Sequence, residues 1–210
     1  MRLSAKVVGK TFPLVDGISN VYEFIEYQAK VSNPSNQLKK THLIQYLKDQ
    51  KHWSPFDMAN FQIEVECPRD IARQILRHSS MRFQEFSQRY ADVNEFSLRE
   101  LRRQDTKNRQ NSIDDFSEKD KLDFEEDCRS LIQHAEEIYN YWRSQGAAKE
   151  CCRVFLPEGL TMSRLYANGT VRTWMHYLSV REEQGVTQKE HVMVANAIRE
   201  VLHKEEPELF

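Results

Sequence analysis

The densest run of chemically useful side chains is Arg77-His78-Ser79-Ser80-Met81-Arg82-Phe83-Gln84-Glu85-Phe86-Ser87-Gln88-Arg89-Tyr90. It sets three arginines, a histidine, a carboxylate, three serine hydroxyls and a phenol within fourteen positions, directly after an apolar helical stretch. Guanidinium forks match phosphate oxygens, and amides or carboxylates can read the edge of a planar ring, so the run is able to bind a phosphate-bearing planar ligand. On composition alone, a solvated charged turn is an equal reading. Three smaller features bear on the choice. Lys51-His52-Trp53-Ser54-Pro55-Phe56 is an aromatic turn, in which His52 is either a ligand contact or part of a packing corner. Arg153 interrupts the apolar stretch Cys151-Cys152-Arg153-Val154-Phe155-Leu156 and needs a partner, a ligand or a path to solvent. Arg172 and His176 stand four residues apart, which puts both on one helix face.

The elements that must position these groups follow from periodicity. Leu3 to Val8 reads as a strand. Asn20 caps a helix with Val21, Phe24, Ile25 and Ala29 on its apolar face, and a second helix over 39–50 carries Leu43, Ile44 and Leu47. Phe61, Ile63 and Val65 alternate with Gln62, Glu64 and Glu66, the half-buried strand pattern, and Pro68 ends that strand and opens a helix through Ile71, Ile75 and Leu76. The polar stretch from Leu98 to Glu118, with Arg99, Arg102, Arg103, Lys107 and Arg109, reads as an exposed insertion or mobile loop. Ser117 and Asp120 start a long helix bearing Leu122, Leu131, Ile138 and Tyr141, which Gly146 stops. A short helix over 152–156, a helix over 170–180 and one over 189–203 complete the chain. Helices outnumber strands and do not alternate with them regularly, so the expected class is α+β, in a single domain over 1–210.

Composition removes several function classes. Lys and Arg total 30 against 32 Asp and Glu, a net charge of −2, where a nucleic-acid-coating protein needs a basic excess. A mean hydropathy of −0.72 and the lack of a long apolar run argue against a membrane span, and the first residues carry no secretory stretch. Cys67, Cys128, Cys151 and Cys152 form no CxxC pair and have no histidine at zinc spacing, so reduced, buried or half-buried thiols in a cytoplasmic protein are expected, with no metal site.

The motif run resembles the signature RHRxxSxNExSxRY of the flavin-dependent thymidylate synthases, the ThyX family. Arg77, His78, Glu85, Ser87, Arg89 and Tyr90 fall in register, Gln84 stands for the usual Asn, Ser79 for the usual Arg, and Arg82 for the usual Ser. The resemblance covers nearly the whole chain: the His-x-Ser-Pro-Phe turn precedes the motif, Lys107-Asn108-Arg109-Gln110-Asn111-Ser112 follows it, and an Arg-x-x-Leu-Pro segment comes later. It is especially close to short viral-type members, which share Phe83 to Tyr90. Relative to the family, one extra residue falls near Glu158-Gly159 and another near Gln184 to Thr187.

The resemblance implies an α+β fold with a helix-flanked mixed sheet and a homotetramer whose sites form between subunits. It implies reductive methylation of dUMP to thymidylate, with methylenetetrahydrofolate giving the one-carbon unit and FAD, reduced by NADPH, giving the hydride. Position by position, it makes Gln74, Arg77, Glu85, Ser87, Arg89, Arg153 and Arg181 the dUMP contacts, Arg153 and Arg181 reaching in from other chains. It makes His52, Arg77, His78, Ser79, Arg172, His176 and Gln188 the FAD contacts, His176 standing where many members have Asn. Arg181 and Ser87 are the positions carried over as catalytic, Arg181 to stabilise charge on the uracil ring. Ser87 has no histidine at motif spacing to deprotonate it, so no nucleophile role attaches to it. The resemblance also leaves two other functions open. One is a related flavoenzyme making another 5-substituted nucleotide such as hydroxymethyl-dUMP. The other is a catalytically idle nucleotide- or RNA-binding homologue, motivated by Ser79 and the basic 99–109 loop. A viral-type member would work in the host cytoplasm.

Overall fold

Phe61, Ile63, Val65 and Cys67 are fully buried along β2 (Asn60–Pro68), while Gln62 is exposed and Glu64 and Glu66 are half-buried on the opposite face. That alternation sets one side of a sheet against helices and leaves the other polar. The computed structural model describes residues 1–210. Its remaining elements, with β2 in its place, run β1 (Ser4–Lys10), α1 (Val21–Ala29), α2 (Leu43–Asp49), α3 (Arg69–Ile75), β3 (Arg82–Glu85), β4 (Arg103–Gln104), β5 (Ser112–Ile113), α4 (Glu118–Ser144), α5 (Lys149–Cys152), β6 (Met162–Thr170), α6 (Val171–Arg181) and α7 (Lys189–Glu205).

The main sheet has the order β1-β2-β6-β3, and β4 pairs with β5 in a small separate hairpin. The α+β expectation is met; the resemblance implies a mixed sheet, whereas all three pairings of the main sheet are antiparallel. Beside β2 lies β6, whose odd-numbered Ser163, Leu165 and Ala167 are buried and whose Arg164 and Tyr166 face outward. Periodicity did not disclose β6, because Asn168-Gly169 and a buried serine blur its alternation. Nor did it disclose β3, whose four residues lie inside the polar motif run.

The apolar sheet face meets α3, α6 and α7, and α1 joins the same core beside the 54–57 turn and α2. Trp174 and Tyr177 of α6 are fully buried there, and the Trp174 indole donates to the Phe61 carbonyl at 3.1 Å. Thr170 ends β6 and caps α6, accepting from Thr173 N at 3.1 Å, so strand and helix join without a loop.

Several sequence expectations are corrected. On α1 the buried positions are Val21, Glu23, Ile25 and Glu26 rather than Phe24, because both carboxylates are consumed internally: Glu23 takes two hydrogen bonds from Ser19 and pairs with Lys40, and Glu26 accepts from the Leu43 and Thr41 amides at the start of α2. That anchoring starts α2 at Leu43 rather than near 39. The 153–155 stretch is a 3₁₀ turn after α5, the helix proper ending at Cys152. On α4 the buried face is Cys128, Ala135 and Tyr139, whereas Leu122, Leu131 and Tyr141 are 67%, 51% and 58% exposed. Gly146, at φ 85°, ends the helix region as expected. The 98–118 segment is not a loose basic loop: Arg99 pairs with Asp70 at 2.7 Å, Arg102 with Glu190 at 2.6 Å and Arg103 with Asp115 at 2.9 Å. Cys67, Cys128 and Cys152 are buried free thiols, and Cys151 is an exposed one. No helix is long and apolar enough to cross a membrane.

Candidate active site

The sequence-derived site residues fall into three neighbouring groups. The first lies where the end of α3, the end of α6 and the start of α7 meet. Gln74 of α3 donates through Nε2 to Gln188 Oε1 at 2.7 Å, and its Oε1 sits 3.2 Å from His191 Nδ1. Arg181, the last residue of α6, donates from Nε to His78 Nε2 at 3.0 Å. His78 also packs edge-on against Tyr177, with ring centroids 5.0 Å apart. Burial, joined by the Arg181 cation, pushes the His78 imidazole down to about 4, so it is neutral near pH 7 with Nε2 as an acceptor. The Arg181 guanidinium is thereby fixed at one nitrogen while its other donors remain for a ligand.

The second group surrounds β3. Glu85 is mostly buried and accepts from Arg69 Nη1 at 3.1 Å, Arg73 Nη1 at 3.2 Å and Ser163 Oγ at 3.0 Å. Arg69 and Arg73 escaped the sequence reading, although their four-residue spacing on α3 already marked a single basic face. Ser87 Oγ accepts from the Arg89 amide at 3.3 Å, and no base stands against it. Arg89 is exposed and pairs with Glu150 at 2.8 Å, while Arg153 lies exposed on the 3₁₀ turn after α5.

The third group lines a cleft of about 680 Å³ formed by Trp53, Asp57, Ser80, Arg172, Thr173, Met175, His176 and Ser179. Arg172 and His176 share the exposed stripe of α6 that their spacing foretold, and Arg172 is held by Asp57 at 2.9 Å. Exposed His52 stacks edge-on with Tyr46 at 6.1 Å and does not line this cleft. Arg77 and Ser79 are exposed just beyond α3. Arg82 Nη1 donates to the carbonyls of Ser79 and Met81, both at 3.0 Å, so its guanidinium lies over the Ser79 turn.

Within one chain, then, hydrogen bonds join Gln74 to Gln188 and His78 to Arg181, while Arg89 pairs with Glu150 instead. Tyr177, Glu190 and His191 also escaped the sequence reading. Their only signal was a polar side chain at a core position of an amphipathic helix.

Comparison with known proteins decides the family. The model of the thymidylate synthase complementing proteins matches residues 14–208. The chain belongs to this family. A probable flavin-dependent thymidylate synthase of Paramecium bursaria Chlorella virus 1 is 43% identical over 99% of this chain and 97% of its own length. The flavin-dependent thymidylate synthase of Synechocystis sp. is 45% identical over 87% of this chain and 85% of its own. A UMP/dUMP methylase from Streptomyces cacaoi, in a crystal structure with 5-Br dUMP, superposes with a TM-score of 0.83 at 25% identity, covering 99% of this chain and 93% of that one.

For a thymidylate synthase of this family the α6 cleft is chemically apt for a flavin. Trp53 and Met175 give an apolar wall for a planar ring, while Arg172, His176, Ser80 and Ser179 give a cation and donors for phosphate and hydroxyl oxygens. The residues present therefore fit the group.

Proposed function

We propose that this protein is a flavin-dependent thymidylate synthase, converting dUMP to thymidylate with methylenetetrahydrofolate as one-carbon donor and NADPH as reductant through FAD. The observation that carries the reading is identity of 43–45% to flavin-dependent thymidylate synthases over most of the chain. The whole of 1–210 acts as one catalytic domain in this reading.

Bound FAD supplies the hydride chemistry; this chain's residues bind, orient and polarise. Arg89 and Arg153 supply guanidinium donors to the dUMP phosphate. Arg89 exchanges its Glu150 partner for that phosphate. Glu85, held by Arg69, Arg73 and Ser163, has a fixed carboxylate to accept a nucleotide hydroxyl or N–H. Gln74 addresses the uracil edge, and Arg77 and Ser87 supply further donors. Arg181 places a cation toward the ring, where it favours charge that develops in the transition state over the neutral ground state. Arg172 and His176 hold FAD in the α6 cleft, and His52, Arg77, His78, Ser79 and Gln188, which lie outside that cleft, contact it where subunits meet. Ser87 orients and does not attack, because nothing beside it takes its proton.

The assembly is a homotetramer with sites between subunits. One feature supports this: α4 leaves the large apolar side chains Leu122, Leu131 and Tyr141 uncovered. Free thiols at all four cysteines support a reducing, cytoplasmic setting. The basic 99–109 loop supports the RNA-binding alternative less than its composition implies, since Arg99, Arg102 and Arg103 pair with Asp70, Glu190 and Asp115.

The test mixes flavin-loaded protein with dUMP, methylenetetrahydrofolate and NADPH and determines the nucleotide product by mass, with UMP as a parallel substrate. Thymidylate is expected. A hydroxymethylated nucleotide, or flavin reoxidation with no methylated product, overturns the assignment.

A further inference from the structure

A single file of polar side chains runs through the interior behind the nucleotide site. The Tyr177 hydroxyl lies 3.0 Å from His191 Nε2, and His191 Nδ1 lies 3.2 Å from Gln74 Oε1. Gln74 Nε2 lies 2.7 Å from Gln188 Oε1, and Gln188 Nε2 lies 2.9 Å from Glu190 Oε2. Tyr177 and His191 are fully buried, and Glu190 is nearly so. The file ends on a charge: Glu190 pairs with Arg102 at 2.6 Å and has Arg99 at 3.5 Å. Burial opposes ionisation of Glu190, but hydrogen bonds from Arg102 and Gln188 outweigh it and hold the carboxyl below its ordinary value.

An ionised carboxylate only accepts, and that one fact sets the direction of every bond behind it. Gln188 must turn its NH₂ to Glu190, so its carbonyl oxygen faces Gln74. Gln74 must then turn its NH₂ to Gln188 and its oxygen to His191. His191 must carry its proton on Nδ1, leaving Nε2 to accept from the Tyr177 hydroxyl. Burial, with Arg181 and His78 nearby, lowers the His191 imidazole to about 3, which keeps it neutral and able to play both roles at once.

We propose that His191 is a positioning residue that, with Glu190 as the polarity-setting charge, locks the carboxamide of Gln74 in one orientation and so makes the site read a uracil edge rather than a cytosine edge. The proposal rests on the reading of Gln74 as a nucleotide contact. Uracil presents a carbonyl acceptor beside an N–H donor, and cytosine presents an amine donor beside a bare nitrogen. A carboxamide free to rotate by half a turn satisfies either base, because its C=O and NH₂ ends exchange places. A carboxamide fixed at both ends satisfies one only, and the other base leaves like facing like.

Two measurements test this on the flavin-loaded, full-length protein. In ¹⁵N-histidine spectra, with the His191 signals assigned by their loss in His191→Gln, wild type should show a neutral Nδ1–H tautomer. Glu190→Gln removes the acceptor-only terminus, so both tautomers should appear. An Nε2–H tautomer in wild type, or an unchanged tautomer in a folded Glu190→Gln, overturns the lock. Competition between dUMP and dCMP should then show discrimination reduced by about tenfold in His191→Leu and largely restored in His191→Gln, which can still donate to Gln74. Unchanged discrimination in a folded His191→Leu overturns the specificity role. If the wild type binds no dUMP at all, the nucleotide reading fails, and the tautomer result still stands on its own.

Discussion

Arg181 ends α6 with one nitrogen committed to His78, whereas Arg89 and Arg153 are exposed. This difference in setting predicts a difference in kinetics. Arg89→Ala and Arg153→Ala should each weaken dUMP binding by about 1.5–3 kcal/mol, the value of a charge-assisted hydrogen bond. Arg181→Ala should lower kcat more than affinity, and steady-state kinetics showing full turnover with a raised KM for dUMP would contradict the role. Thiol chemistry belongs to the same scale. Burial pushes the Cys67 thiol up to about 12 and raises Cys128, so neither offers a thiolate near neutrality. A variant with all four cysteines changed to Ser should keep substantial turnover despite some lost stability at Cys67; complete inactivity in a folded, flavin-loaded form refutes a thiol-free mechanism. The departure at Ser79 has a structural counterpart in Arg82, whose guanidinium bonds to the Ser79 carbonyl. Flavin titration should show Arg82→Ala weakening FAD binding, and Ser79→Arg rescuing it in the double variant. Additive effects would make Arg82 a surface charge only.

Helix α2 has no side-chain cap of its own, and its N-cap residue His42 adopts a left-handed conformation at φ 51°. Its first amides are instead satisfied by Glu26, seventeen residues earlier on α1. Burial disfavours the Glu26 carboxylate, yet the Leu43 and Thr41 amides and Lys30 together hold its carboxyl below the ordinary range. Glu26→Gln should therefore cost about 3 kcal/mol in urea unfolding near pH 7. The sign with pH is fixed: the unfolded carboxyl binds protons more readily, so the contribution is complete above its unfolded value of about 4.5 and fades as pH falls through the folded one. The gap between the two proteins should accordingly narrow in acid; a gap that widens there rules out the carboxylate as its cause. Local pattern announced most of these helices, because caps such as Asn20 and Ser117 and the Pro68 start act within one turn. It misplaced the buried faces of α1 and α4, because which stripe is covered depends on what packs against it.

Across the whole molecule, the apolar side chains that α4 leaves uncovered give the proposed tetramer its test. Leu131→Glu should leave the protomer folded by circular dichroism, reduce the tetramer by light scattering, and lower activity in proportion. A tetramer that survives this change along with full activity would place the interface elsewhere. The motif run, the helix caps, the alternation of β2 and the α+β class are legible before folding, since each is written in residues a few positions apart. That β6 is a central strand, that Arg69, Arg73 and Ser163 converge on Glu85, and that Gln74 meets His191 across 117 positions of chain emerge only once the chain is folded. The physical reason is that a hydrogen bond between distant residues leaves no period in the sequence. A buried histidine or glutamate reads there as an interruption of an apolar face until its partners are folded onto it.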